Sequence, residues 1–141
     1  MTSVVFEEIR TALNLSEKKV ASEAALASAI ATGLPVAVVQ HLIDLGMPEE
    51  EIYRFIPRRT LQRRVKAKAL LTPEESERIE RVAAVFGVAT RVFGNAEQAL
   101  HWLLRPKHQF DNRRPIDLIH SYTGARMVEE RLLQGYFGNV G

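Results

Sequence analysis

Cysteine is absent from this sequence, so no disulfide or thiolate-held metal contributes to its fold or chemistry. Long apolar runs are absent too. The richest stretches, residues 24–31 and 34–39, are broken by Ser28, Thr32, Gly33 and Pro35, and fall short of the roughly 18 apolar residues a membrane span needs. Residues 1–8 lack a basic segment followed by an apolar one, so they do not read as a secretory signal. Sustained apolar–polar alternation and Asn-Gly or Asp-Gly hairpin turns are missing, which argues against strands. The histidines His41, His101, His108 and His120 have no metal-pair spacing. No glycine-rich phosphate loop follows a strand, and no serine, histidine and acid surround a nucleophile elbow. Glu129 and Glu130 are adjacent, so on a helix they face different ways and form no carboxylate pair. Catalysis, a metal and a cofactor are therefore not expected, and the cytoplasm is the default location.

What is present describes a globular chain. Its 141 residues are 46% hydrophobic and 26% charged, enough for one compact domain or two small helical parts sharing a core. The net charge of +2 says little about partners, but its distribution says more. Arg58, Arg59, Arg63, Arg64, Lys66 and Lys68 crowd into residues 57–69 with no acid among them. Asp44, Glu49, Glu50 and Glu51 lie just before.

Almost every segment reads as helix. A first is expected from Val4 to Leu13, and a second from Ser16, acting as N-cap, to about Ala31, stopped by Gly33. Three short helices follow: 35–45, with Val38, Val39, Leu42 and Ile43 buried; one from Pro48, with Ile52 and Phe55 inward; and 58–69. Thr72-Pro73-Glu74-Glu75 is the clearest start signal, joining an N-cap threonine, a first-turn proline and a capping-box glutamate. The long helix it opens carries Ile79, Val82, Ala83, Phe86, Thr90 and Phe93 on one face and ends at Gly94. Asn95 caps a helix to about Leu104, residues 105–114 form a loop, and residues 115–119 make a turn or two. A last helix spans 124–134, leaving 135–141 as a mobile tail.

The three short helices, the last of them basic, point to a helix-turn-helix module whose third helix enters the major groove. Arginine can read guanine with two hydrogen bonds, Gln62 can do so for adenine, and Thr60 can reach a phosphate or a thymine methyl. On such a helix Arg59, Gln62, Arg63 and Lys66 share a face, with Arg58 at its start and Leu61 and Val65 turned to the core. Residue types and spacing alone leave open a plainer reading, a solvated face paired with Glu49, Glu50 and Glu51.

The order of blocks along the chain resembles the Xre/MbcA/ParS antitoxin family. The likeness is carried by Gly33-Leu34-Pro35, by Ile56-Pro57-Arg58-Arg59-Thr60-Leu61-Gln62-Arg63-Arg64, and by Leu71-Thr72-Pro73-Glu74-Glu75-Ser76-Glu77-Arg78. It continues through Val92-Phe93-Gly94, Ala99-Leu100-His101-Trp102-Leu103, Arg114-Pro115-Ile116-Asp117-Leu118 and Gly124-Ala125-Arg126-Met127-Val128-Glu129. The loop 109–113 departs from the pattern in lacking a glycine before Arg114-Pro115, and the tail after Gly135 is variable in the family.

The resemblance implies an all-α protein. Residues 1–70 would form a helix-turn-helix part that dimerises and binds the operator DNA of its own operon. Residues 71–141 would bind a cognate RES-domain toxin, which consumes NAD and is related in fold to ADP-ribosyltransferases, and would cover its active site. The expected DNA-binding residues are Arg58, Arg59, Thr60, Gln62, Arg63 and Lys66. The expected toxin-binding residues are Arg114, Pro115, Tyr136 and Phe137; for Arg114 an equal alternative is a cap on a neighbouring helix C-terminus, and the last two are aromatics in a glycine-flanked tail, where the alternative is that they fold back on Leu132 and Leu133. Trp102 reads as core more readily than as an interface anchor. A dimeric helix-turn-helix regulator without a toxin is the rival reading, and an inhibitor that never touches DNA is a third.

Overall fold

The computed structural model describes residues 4–138. Its elements are α1 (Val4–Ala12), α2 (Glu23–Thr32), α3 (Ala37–Asp44), α4 (Glu49–Ile52), α5 (Arg58–Ala67), α6 (Pro73–Phe93), α7 (Ala96–Leu103), α8 (Pro115–Leu118) and α9 (Tyr122–Gly138). Among the described residues there is no strand, only an isolated bridge between Lys107 and Arg113 that closes the loop around a 3-10 turn at His108–Phe110. No single helix among them is long and apolar enough to cross a membrane.

The long helix α6 is the axis of the fold. Thr72 accepts a hydrogen bond from the Glu75 amide (3.1 Å), and the Glu75 carboxylate accepts one from the Thr72 amide (2.9 Å), completing the expected capping box. From Val82 to Ala89 every residue is buried, so the single apolar face of the sequence reading is too narrow. A helix apolar all round must be surrounded. Here α1, α7 and α9 pack against it, with α2 touching it more lightly, and its residues join one continuous core with Leu42, Ile52, Leu103, Ile116 and Val128.

Three expectations need correction. The second helix begins at Glu23 with Ser22 as its cap, not at Ser16. Val20 is buried and its carbonyl accepts a hydrogen bond from Arg10 (3.1 Å), so residues 16–22 fold back onto α1 before helix can start. Val65 is not core but 61% exposed; only Leu61 of α5 is buried. The last helix starts earlier, at Tyr122, and runs through Gly135 to Gly138, so the expected tail is helical over residues 135–138. A glycine inside a helix costs about 1 kcal/mol, and packing of α9 on α6 through buried Ala125, Val128 and Leu132 outweighs it.

Two glycines are required by close approach. Gly33 has φ +115° and its missing side chain leaves room for the Leu71 carbonyl, where Leu71 N–H donates to the Leu34 carbonyl (2.9 Å). Gly87 faces α1 so closely that an added Cβ would lie 2.7 Å from Glu8 Cβ and 2.9 Å from its carbonyl oxygen. Although alanine is the better helix former, Gly87→Ala is expected to lower stability by about 1–3 kcal/mol through forced separation of α1 and α6. Thermal unfolding checks this; an unchanged or higher melting temperature would show that α1 yields freely.

Candidate nucleic-acid interface and partner-binding half

Helix α5 displays its cations outward. Arg58, Arg59, Gln62, Arg63 and Lys66 are exposed, Thr60 is half-buried at the edge, and no acid stands in the first turn. Among the described residues, Arg58, Arg59, Arg63 and Lys66 make no ion pair with a carboxylate, so the alternative of pairing with Glu49–Glu51 is not realised. Two arginines in the first turn oppose the positive end of the helix dipole, a cost of about 0.3–1 kcal/mol each. An anion placed there would offset it.

Arg64 behaves differently. It turns inward and forks onto Glu75, Nε to Oε1 and Nη2 to Oε2, both 3.1 Å. Burial works against the Glu75 carboxylate, but the hydrogen bonds from Arg64 and the Thr72 amide more than offset it and hold its pKa below the ordinary range. One carboxylate thus caps α6 and anchors α5, fixing the angle at which the cationic face is presented. The Arg78 side chain adds a bond to the Phe55 carbonyl (3.2 Å), at the turn into α5.

The expected toxin-binding pair Arg114-Pro115 sits within the protein's own fold. Arg114 donates to Glu51 (Nη1 to Oε2, 2.8 Å) and to Asp117 (Nε to Oδ2, 2.8 Å; Nη2 to Oδ1, 2.7 Å). Arg54 completes the cluster, reaching Asp117 at 2.6 Å and Glu51 at 3.2 Å. Hydrogen bonds from Arg114, opposed by burial, hold the Asp117 pKa at about 2. Pro115 is buried at the first turn of α8. Beside this cluster the His120 ring stacks on Phe55 (4.2 Å, 3° between planes), and burial followed by the nearby Arg54 charge pushes its pKa down. The cluster therefore joins α4, which leads into α5, to α8 of the second half. The side chains of Tyr136 and Phe137 lie outside the described residues.

An aromatic group went unremarked in the sequence. Trp102 is half-buried between Phe93 (6.0 Å) and Phe110 (6.1 Å, edge-on), with the Lys107 ammonium 5.6 Å from its ring centre. Phe93 is 38% exposed, so Trp102 belongs neither wholly to the core nor to open surface. Nothing in the spacing of these residues signals the cluster, because the loop after α7 brings Phe110 back.

A module of three short helices with a cationic third, sharing its core with a helical second half built on α6, defines the class: an all-α helix-turn-helix protein with an appended C-terminal domain. Residues 25–84 match the antitoxin Xre-like helix-turn-helix domain, and residues 88–135 match the antitoxin Xre/MbcA/ParS C-terminal toxin-binding domain. An "Antitoxin Xre" of Pseudomonas putida is 33% identical over 132 residues, 92% of this chain and 83% of that protein. Another "Antitoxin Xre", from Yersinia enterocolitica, is 35% identical over 119 residues, 79% of this chain and 80% of that protein. The chain belongs to the Xre/MbcA/ParS antitoxin family.

A third charged site lies between α6 and α9. Burial, then repulsion from Glu80 and Glu130, pushes the Glu129 pKa up to about 7. Glu80 is raised as well, by burial and then by Glu77, with Arg81 opposing. Both line one cavity of about 420 Å³ with Glu77, Arg81, Arg126 and Tyr122. Because the folded-state pKa of Glu129 exceeds the ordinary value of 4.5, its contribution favours the fold at low pH and is lost as pH rises through about 7. Between about pH 5 and 8, the stability of the parent protein is therefore expected to fall relative to Glu129→Gln. Denaturant melts at a series of pH values check this, and parallel curves would show that Glu129 ionises freely.

Proposed function

We propose that this protein is the antitoxin of a type II toxin–antitoxin system, acting in the cytoplasm. Its second half neutralises a RES-domain, NAD-consuming toxin by covering the active site. Its helix-turn-helix half represses its own operon by binding operator DNA as a homodimer. The observation that carries this reading is the pairing, in one chain and on one core, of two antitoxin domains with a cationic α5 face free of carboxylate partners.

In this reading Arg59, Gln62, Arg63 and Lys66 face the major groove, while Arg58 and Thr60 reach the backbone at its edge. Arg59→Ala or Arg63→Ala is expected to weaken binding to the specific operator by about 1–3 kcal/mol each, with specificity relaxed at the contacted base. Uniform loss across sequences, with a salt slope lowered by about 1, would reassign the residue to phosphate contact. Gel shifts or anisotropy at several salt concentrations separate these outcomes.

In the second half, Arg114 and Pro115 shape the toxin-facing surface through α8, and Tyr136 and Phe137 at the end of α9 insert into the toxin. Replacing Tyr136 and Phe137 together with alanine is expected to restore NAD consumption by the bound toxin and leave DNA binding intact; unaltered neutralisation would remove them from the interface. The whole reading is tested by co-expressing the protein with the product of its neighbouring gene, purifying through a tag on this chain, and assaying NAD loss. A stable complex with NAD consumption suppressed, beside an active free partner, is expected. Absence of a co-purifying partner, with sequence-specific DNA binding retained, would favour the rival of a dimeric regulator without a toxin.

A further inference from the structure

Between α3 and α5 lies an open groove of about 450 Å³ for which the DNA-binding reading gives no role. Its walls are mostly apolar, with Val36, Val39 and Ile43 from one side and Val65 from the other, and Gln40, Tyr53 and Gln62 add uncharged polar groups. Val65 is 61% exposed on it, one turn beyond the buried Leu61. Among the described residues, the charged ones that line it are Arg58 and Lys66. They bracket the groove along α5, separated by eight residues or about 12 Å of helix axis. Asp44 and Glu49 do not line it but are bonded to two side chains that do, Asp44 to Gln40 (2.8 Å) and Glu49 to the Tyr53 hydroxyl (3.0 Å).

The volume is in the range of small-molecule sites, which are mostly apolar with a few charged or polar anchors. A duplex would supply phosphates to Arg58 and Lys66 but little to fill an apolar cleft. A second copy docked here by a two-fold contact along α5 would set Arg58 of one copy against Lys66 of the other, cation against cation. We infer that the α3–α5 groove binds a small amphipathic organic anion, with its apolar body along Val39, Ile43 and Val65 and its anionic head on Arg58 or Lys66. Because Arg58, Gln62 and Lys66 border both the groove and the proposed DNA face, its occupation neutralises cations needed by the operator. The ligand and DNA then exclude one another. This competitive step rests on the DNA-binding reading; the groove itself does not.

The test uses the full chain and a fluorescent probe of this chemistry, 8-anilinonaphthalene-1-sulfonate, with uncharged N-phenyl-1-naphthylamine as comparator. A saturable one-site rise in emission is expected, weakened about tenfold by Val65→Glu and by Lys66→Gln and retained by Val65→Leu. The uncharged comparator should bind more weakly, and duplex DNA at low salt should displace the sulfonate. Position 65 is exposed, so the fold of Val65→Glu should survive, as circular dichroism will report. Equal affinity for the charged and uncharged probes, or affinity unchanged in Val65→Glu and Lys66→Gln, would overturn the site. So would a Val65→Glu protein of half the parent's mass in solution, which would assign the groove to contact between copies. Probe retained on DNA-saturated protein would overturn the exclusion. A parent protein that takes the probe yet shifts no duplex at low salt would sink the DNA-binding reading, and with it the competitive step, while the Val65→Glu contrast still decides the groove.

Discussion

Burial of α6 on all sides is the constraint on which the rest depends. A 21-residue helix whose middle two turns carry Val82, Ala83, Ala84, Val85, Phe86, Gly87, Val88 and Ala89 has no face to offer water. It must be enclosed by neighbours drawn from both ends of the chain, since apolar burial is the main favourable term in folding. α1 arrives from the N-terminal side and α7 and α9 from the C-terminal side. The small side chains and Gly87 let these helices approach closely. The two family domains therefore meet on a shared helix: the match to the first ends at residue 84 and the match to the second begins at residue 88, both within α6.

Around that axis, arginine–carboxylate forks set orientation. Arg64 on Glu75 holds α5 to the start of α6, and Arg114 on Glu51 and Asp117 holds α8 to α4. Arginine suits these places because its planar guanidinium engages two carboxylates or both oxygens of one at once. Such partly buried pairs add little net stability relative to apolar packing, but an orphaned partner is costly, so they specify one arrangement. The consequence falls on α5. Its inward arginine is spent on geometry, leaving its outward cations without carboxylate partners.

The two ends of the second half differ in kind. Near the first half, α8 is tied by ionic contacts and by the Phe55–His120 stack. On the other side, the partly exposed Phe93 and Trp102 pack with the buried Phe110, rimmed by Lys107 and Arg131. Aromatic side chains supply large contact area and are enriched at interface cores.

The sequence by itself determined the elements whose signals are local. The Thr72–Glu75 box, Asn95 as a cap, Pro115 at a first turn and the run of cations on α5 are written in neighbouring residues, and the structure follows each of them. The order of family blocks along the chain was legible for the same reason. Tertiary structure alone decided what depends on distant partners. Ser16 and Ser22 both look like caps, and the Arg10 bond to Val20 selects the second. Val65 and Leu61 look alike on a helical wheel, but α3 stands off far enough to leave a groove over Val65. The pairing of Arg114 with Glu51, 63 positions away, is not written in either neighbourhood and exists only once the fold sets them together. Local propensity records which conformation a segment prefers, whereas burial and ion pairing depend on what the folded chain sets beside it.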